Sequence, residues 1–302
     1  MNLAPIVLFV YNRPWHTRQT VEALRKNDLA IESNLIIYSD GPKNELVEQS
    51  VNEVRHYIKS IHGFKSIEII ERDQNLGLAN SIISGVTEVI NKFKKVIVLE
   101  DDLISSTQFL LFINQALAQY KDENKILSVS GYSYPINIPI NYKYDGYCSY
   151  RSMSWSWGTW QNRWQKADWE VKDFNDFVDN KERQKTFNRG GDDLSDLLIS
   201  QVERGINSWS IIWDYTHFKY NAYCFCPVKS KIFNIGFDGT GVHGFNRSMI
   251  QSELDDEIID KYNFSKDVIV ENYFVNKIRI LHKYTIKRKL KRLLLNYLQG
   301  RK

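Results

Sequence analysis

The chain has 302 residues, 43% of them apolar, and a formal net charge of +4. That supplies one large core or two modest ones, with too little basic excess for a nucleic-acid partner. Its three cysteines, Cys148, Cys224 and Cys226, are odd in number and lack metal-type spacing, which excludes a disulfide framework or a zinc site and suits a reducing, cytoplasmic setting.

Ile6–Val10 reads as a buried strand, reached without the basic n-region and cleavage site of a signal peptide. A helix over Thr17–Arg25, a strand at Leu35–Tyr38 and a long amphipathic helix over Glu45–Ile61 follow. Strand Ile67–Ile70, helix Leu78–Phe93, strand Val96–Leu99 and helix Phe109–Tyr120 continue the alternation. The pattern predicts right-handed βαβ units and so an α/β fold, a Rossmann-like, mostly parallel sheet with helices on both faces. After Gly131 short aromatic-rich pieces take over, and seven of the eight tryptophans lie between Trp155 and Trp213. A seam is expected near residue 130, separating residues 1–130 from an aromatic-rich lobe over 131–250. Residues 251–302 form a last segment that reads as helical from Asp255 and turns basic at its end. No apolar run approaches the roughly 18 residues of a membrane-spanning helix.

Glu100-Asp101-Asp102 directly follows the strand-like Val96–Leu99. Ligands of open α/β sheets gather beyond the carboxyl ends of such strands, and three adjacent carboxylates repel one another unless a cation shares the space. Hard oxygen ligands of this kind suit Mg²⁺ or Mn²⁺. An acidic helix N-terminus is the plainer reading, but Ser105-Ser106-Thr107 look like the cap of the next helix. The loops Tyr11–Pro14, Ser39–Pro42 and Glu71–Leu78 end the first three strands beside this cluster. There Asp40, Asp101, Arg13, Gly77 and a metal could read base, ribose and phosphates of a nucleoside diphosphate. Neither a dinucleotide fingerprint nor a P-loop occurs. Taken singly, Asp40-Gly41 and Asn75-Leu76-Gly77 read as ordinary turns with left-handed glycines.

Phe9–Pro14, Ser39-Asp40-Gly41, Asn75–Ala79, Val98–Leu103, Trp155–Trp160 and Asn234–Gly239 together resemble GT-A glycosyltransferases. The resemblance is to bacterial polysaccharide enzymes related to the N-acetylglucosaminyltransferase I family, over residues 4 to about 245. It implies a nucleotide-sugar-binding half over 1–130 and an acceptor half over 131–250. Asp102 would coordinate Mn²⁺ or Mg²⁺, Asp101 would face the ribose and Glu100 the donor sugar. Asp40 would read uracil, and Arg13 would lie near the nucleotide or diphosphate, with Asn12, Asn75 and Gly77 in the matched donor-side motifs. The activity implied is transfer of a hexosyl or N-acetylhexosaminyl group from a nucleotide sugar, a uridine diphosphate sugar by preference, to a glycan or lipid-linked glycan acceptor in surface polysaccharide synthesis. A sugar-1-phosphate nucleotidyltransferase and a noncatalytic sugar-binding relative are the alternatives.

An inverting transfer also needs a carboxylate base on the acceptor side. The family places it near Asn207-Ser208-Trp209, which here holds no acid. Asp193 is then the first candidate, with Asp214 and Asp192 behind it, Asp192 reading equally well as the cap of the helix that follows. Trp155 and Trp157 are expected as sugar platforms beside Gly158, and Trp164 and Trp169 as core. Late histidines ligate metal in several GT-A enzymes, which makes His243 a second candidate ligand. Residues 283–302 carry leucines and basic residues in a pattern that can lie on an anionic membrane, the inner face of the cell membrane, or pack on the body.

Overall fold

The computed structural model describes residues 2–240 and 250–283. Strand β1 (Ile6–Val10) is buried at every position because it runs inside a parallel ladder covered on both faces. With side chains alternating along the strand, Ile6, Leu8 and Val10 enter one apolar cluster, and Val7 and Phe9 the other. β2 (Asn34–Ser39) flanks it in parallel with β3 (Ser66–Glu71) beyond, and β4 (Lys95–Glu100) lies parallel on its other side. Helices α1 (Pro14–Arg25) and α2 (Glu48–Ile58) cover the first face, and α3 (Leu78–Phe93) covers the second. The expected α/β fold is therefore the observed one. α1 begins three residues earlier than its pattern suggested, at Pro14, where the missing N–H has no helical partner to lose.

β5 (Leu103–Ser105) leads into α4 (Phe109–Gln119), and β6 (Ile126–Ser130), β7 (Gly146–Ser149) and β8 (Trp157–Trp160) follow. Three short helices, α5 (Gln161–Trp164), α6 (Phe174–Asp179) and α7 (Lys181–Phe187), precede the longer α8 (Leu194–Arg204) and α9 (Trp209–Lys219). β9 (Tyr223–Pro227), β10 (Ile232–Asn234) and α10 (Asn272–Leu281) complete the described residues. The main sheet has the order β3-β2-β1-β4-β8-β6-β9-β7, so strands from both sides of residue 130 share it. β8 enters antiparallel between β4 and β6.

Two expectations are corrected. Ser105-Ser106-Thr107 do not cap a helix: Ser105 ends β5, which pairs antiparallel with β10, and α4 starts after Gln108 without a side-chain cap. Residues 255–271 are not helical, and among the described residues the C-terminal segment holds only α10. Tyr262 and Phe264 are buried against Phe112 instead, while Gln115 and Gln119 of α4 donate to the carbonyls of Asp260 and Phe264. The rings hold the segment down, and side-chain amides satisfy carbonyls of an irregular backbone that a helix would have satisfied itself.

Candidate functional site

The chain leaves β1 in one direction to build β2 and β3, then returns to build β4 on the other side. In sheets of this kind ligands collect at the carboxyl ends where the order reverses, here the switch point between β1 and β4. β1 delivers Arg13 to it and β4 delivers Glu100-Asp101-Asp102, with Phe9 and Glu100 in register. Arg13 Nη1 donates to Asp102 Oδ2 at 2.8 Å and lies 3.8 Å from Asp101 Oδ1. Thr20 of α1 clamps the turn: its hydroxyl donates to the Asp101 carbonyl at 2.8 Å and accepts from Leu103 N–H at 3.1 Å. The β5–β10 pair brings a distant segment to the same place. Ile235 N–H donates to the Asp102 carbonyl at 2.9 Å, and Gly236 lies so close that a Cβ there would overlap Asp102 Oδ2. Next in that segment, Asp238 stands 3.8 Å from Arg13 Nη2 and 3.0 Å from His16 Nε2.

Burial, then the charges of Asp102 and Asp101, push the Glu100 carboxyl up to about 8. Burial and Asp102 push Asp101 to about 7, with Arg13 opposing both shifts. Such a set of carboxylates accommodates a hard cation chemically. No group of three metal-ligating side chains encloses an ion among the described residues. A cation here would therefore take one or two carboxylates, Asp102 first, and complete its shell with water or phosphate oxygens, as Mg²⁺ commonly does. Arg13 Nε is buried without a hydrogen-bond partner and Nη2 has only Asp238 at 3.8 Å, beyond hydrogen bonding, which leaves guanidinium donors for an anion beside that cation. The residues fit the group.

The donor-side loops are stitched together. Both Asp40 carboxylate oxygens accept from Leu76 N–H, at 3.0 and 3.1 Å, and one also from Gly77 N–H at 3.1 Å. Asn75 Nδ2 donates to the Gly41 carbonyl at 2.9 Å. Asp40 thus braces the Asn75–Gly77 turn. Gly77 is left-handed at φ +73, as its turn reading required. Gly41 is not: it is needed because a Cβ would come within 2.6 Å of the Gln74 backbone. Asn207, itself left-handed at φ +58, approaches Gly77 from the second half of the chain, its side-chain nitrogen 3.3 Å from where a Cβ would stand. Asn12 is half-buried at the end of β1.

No family model and no curated protein matches the chain. Solved structures do. S. aureus TarS is similar over 78% of this chain and 37% of its own length, with 10% identity and a TM-score of 0.41. Mannosyltransferase PcManGT from Pyrobaculum calidifontis, solved with GDP-Man and Mn²⁺, is similar over 53% of this chain and 48% of its own, with 11% identity and a TM-score of 0.36. The chain thus spans about half or less of either. Neither likeness assigns an activity.

The expected bases make none of the contacts around Arg13 and Asp102. Although burial works against it, the Arg151 guanidinium holds the Asp193 carboxyl well below the usual carboxylate range, through bonds of 2.8 and 3.1 Å. His282 Nδ1 lies 3.6 Å from the same carboxylate. An acid so stabilised in its charged form is a weak base. Asp192 is not the cap: Asp193 occupies the N-cap position of α8 without a side-chain cap bond, and Asp192 meets Arg279 at 3.2 Å. Asp214 is buried, accepts from Ser152 N–H at 2.6 Å and is pushed up by burial to about 6.

Trp157 is corrected from sugar platform to core. It is 1% exposed on β8 and packs on Trp164, Trp209 and Trp213. Trp164 is core as expected, and Trp169 packs on it at 4.7 Å. Half-buried Trp155 keeps a surface, with Tyr132 at 4.5 Å and Phe237, next to Asp238, at 5.4 Å. His243 and residues 284–302 lie outside the described residues. Sequence reasoning missed His16 and Asp238 as site residues. A histidine in the first turn of the helix that follows Arg13 was the available signal for one, and the acid of the Asn234–Gly239 run for the other.

Proposed function

We infer that the chain is a metal-dependent glycosyltransferase of GT-A type, taking a nucleotide sugar, by preference a uridine diphosphate sugar, and passing the sugar with inversion to a glycan acceptor in surface polysaccharide synthesis. One observation carries this reading: carboxylates and an unsaturated guanidinium face each other at the topological switch point between β1 and β4. A divalent cation, when bound, supplies Lewis acidity that offsets charge on the departing nucleoside diphosphate. Asp102 would hold it, Arg13 would bind the diphosphate, and the loop braced by Asp40 would enclose the nucleoside. Asp238 takes the role of base in place of Asp193 on exposure and position: bonds from Thr240 lower its pKa too, but 41% of its side chain meets solvent beside Arg13 and His16, where an acceptor hydroxyl can reach it. Trp155 is the remaining sugar platform. In keeping with a peripheral rather than spanning relation to any membrane, no helix among the described residues is long and apolar enough to cross one.

The test is release of nucleoside diphosphate from a panel of nucleotide sugars with Mn²⁺ and with chelator. Asp102→Ala is expected to lower release by about three orders of magnitude, and Asp238→Asn to stop transfer while sparing nucleotide binding. Chelator-insensitive turnover sinks the reading. Pyrophosphate produced from a nucleoside triphosphate and a sugar 1-phosphate would establish the nucleotidyltransferase instead.

A further inference from the structure

We propose that Arg13 is a resident counter-ion of the carboxylate cluster, holding the cation's electrostatic position until a divalent ion binds and then passing to the donor diphosphate. The inference rests on the reading above and adds an order of events to it. Arg13 Nη1 sits on Asp102 at 2.8 Å and 3.8 Å from Asp101, the acids a cation would use. Guanidinium and cation therefore compete for the same oxygens, because like charges at that separation repel. The rest of the fork is unspent. An arginine has five N–H donors, yet Nε and Nη2 are buried and make no hydrogen bond, with the nearest other carboxylate, Asp238, 3.8 Å from Nη2. His16, with 7% of its side chain exposed, stands beside it with Nε2 3.0 Å from Asp238, which holds that carboxylate off the guanidinium. Buried donors left unpaired are costly, and a planar fork pairs best with a bidentate oxyanion such as phosphate.

Two consequences follow for binding. A cation arriving alone must evict Arg13 and leave it with only the partly exposed Asp238 carboxylate, 3.8 Å from Nη2, in place of the 2.8 Å bond to Asp102. A cation arriving with a diphosphate gives the evicted guanidinium a better partner than the one it lost. Cation and nucleotide are thus coupled, and the coupling passes through Arg13.

Calorimetric titration with Mn²⁺ alone, and with UDP in the presence of Mn²⁺, tests this on the full chain and on Arg13→Met and Arg13→Lys. Arg13→Met is expected to bind Mn²⁺ alone about tenfold more tightly than the wild type, having lost the competing charge-assisted bond, and UDP about tenfold more weakly. Arg13→Lys keeps the charge without the fork, so Mn²⁺ alone binds as in the wild type while UDP binds more weakly. Mn²⁺ binding by Arg13→Met no tighter than wild type overturns the proposal. The wild type gives a measurement independent of any variant's folding: saturating UDP must raise its Mn²⁺ affinity above that of free UDP for Mn²⁺, and no gain overturns the coupling. A wild type that binds neither Mn²⁺ nor UDP overturns the glycosyltransferase reading as well, whereas a wild type that binds both confines any failure to Arg13.

Discussion

Arg151 decides what Asp193 can do. Nothing local in Gly190-Gly191-Asp192-Asp193 announces a guanidinium from a strand end 42 positions earlier, and so the pair of acids after two glycines reads as a candidate base. In the folded chain the carboxylate is a structural anion, with His282 completing its surroundings. Asp193→Asn is accordingly expected to cost stability rather than turnover. Removing one partner leaves Arg151 buried and unpaired, at about 2 to 3 kcal/mol, below the cost for a fully dry pair because 12% and 19% of the two side chains still meet water. Denaturant unfolding measures the loss, and nucleoside diphosphate release measures what is kept. A variant of wild-type stability with no transfer would return Asp193 to the base.

At the scale of elements, the three-residue pairing of β5 with β10 does more for the site than its length suggests. It carries Ile235, Gly236 and Asp238 across the fold onto the Asp102 turn. Gly236 has no left-handed backbone among the described glycines, so its requirement is close approach alone. Gly236→Ala should therefore act by steric displacement of Asp102 or of the segment, with the 1–3 kcal/mol typical of overpacking as its upper range. Mn²⁺ binding should fall about tenfold, the equivalent of 1.4 kcal/mol, and calorimetry compares it with the wild type. Undiminished Mn²⁺ binding would show that the approach of Gly236 is not what positions Asp102.

For the molecule as a whole, one buried histidine ties the second half together. His217 of α9 is fully buried. Its Nδ1 lies 2.8 Å from the Trp213 carbonyl, which can only accept, so Nδ1 bears the proton and Nε2 accepts from Ser128 of β6 at 2.8 Å. Burial lowers its pKa to about 4 from an ordinary 6.5. The unfolded chain then binds the proton first as pH falls, so stability held above pH 6.5 is lost progressively toward pH 4. Between pH 7.5 and 5 the loss from this group amounts to about 2 kcal/mol. His217→Gln does not titrate, and the stability gap between it and the wild type should shrink by that amount across the interval. Burial of Glu100 and Asp101 works in the opposite sense, favouring the protonated folded form, but it is common to both chains and cancels in the difference. A gap constant with pH would mean that His217 is not held neutral.

The sequence by itself determined the α/β class, the first four parallel strands with their helices, and the meeting of Arg13, Asp40, Gly77 and Glu100-Asp101-Asp102 at one sheet edge. Those features depend on local periodicity and on strand-end position, and the neighbouring residues carry both signals. Only the tertiary structure decided that Trp157 is core, that Leu103–Ser105 is a strand, that 255–271 is irregular and that Asp193 is paired with Arg151 while Asp238 stands beside Arg13 and His16. Each of these turns on a partner far away in the chain. A carboxylate's chemistry is set by the charge opposite it and a tryptophan's by what covers it, and neither is encoded in the residues alongside.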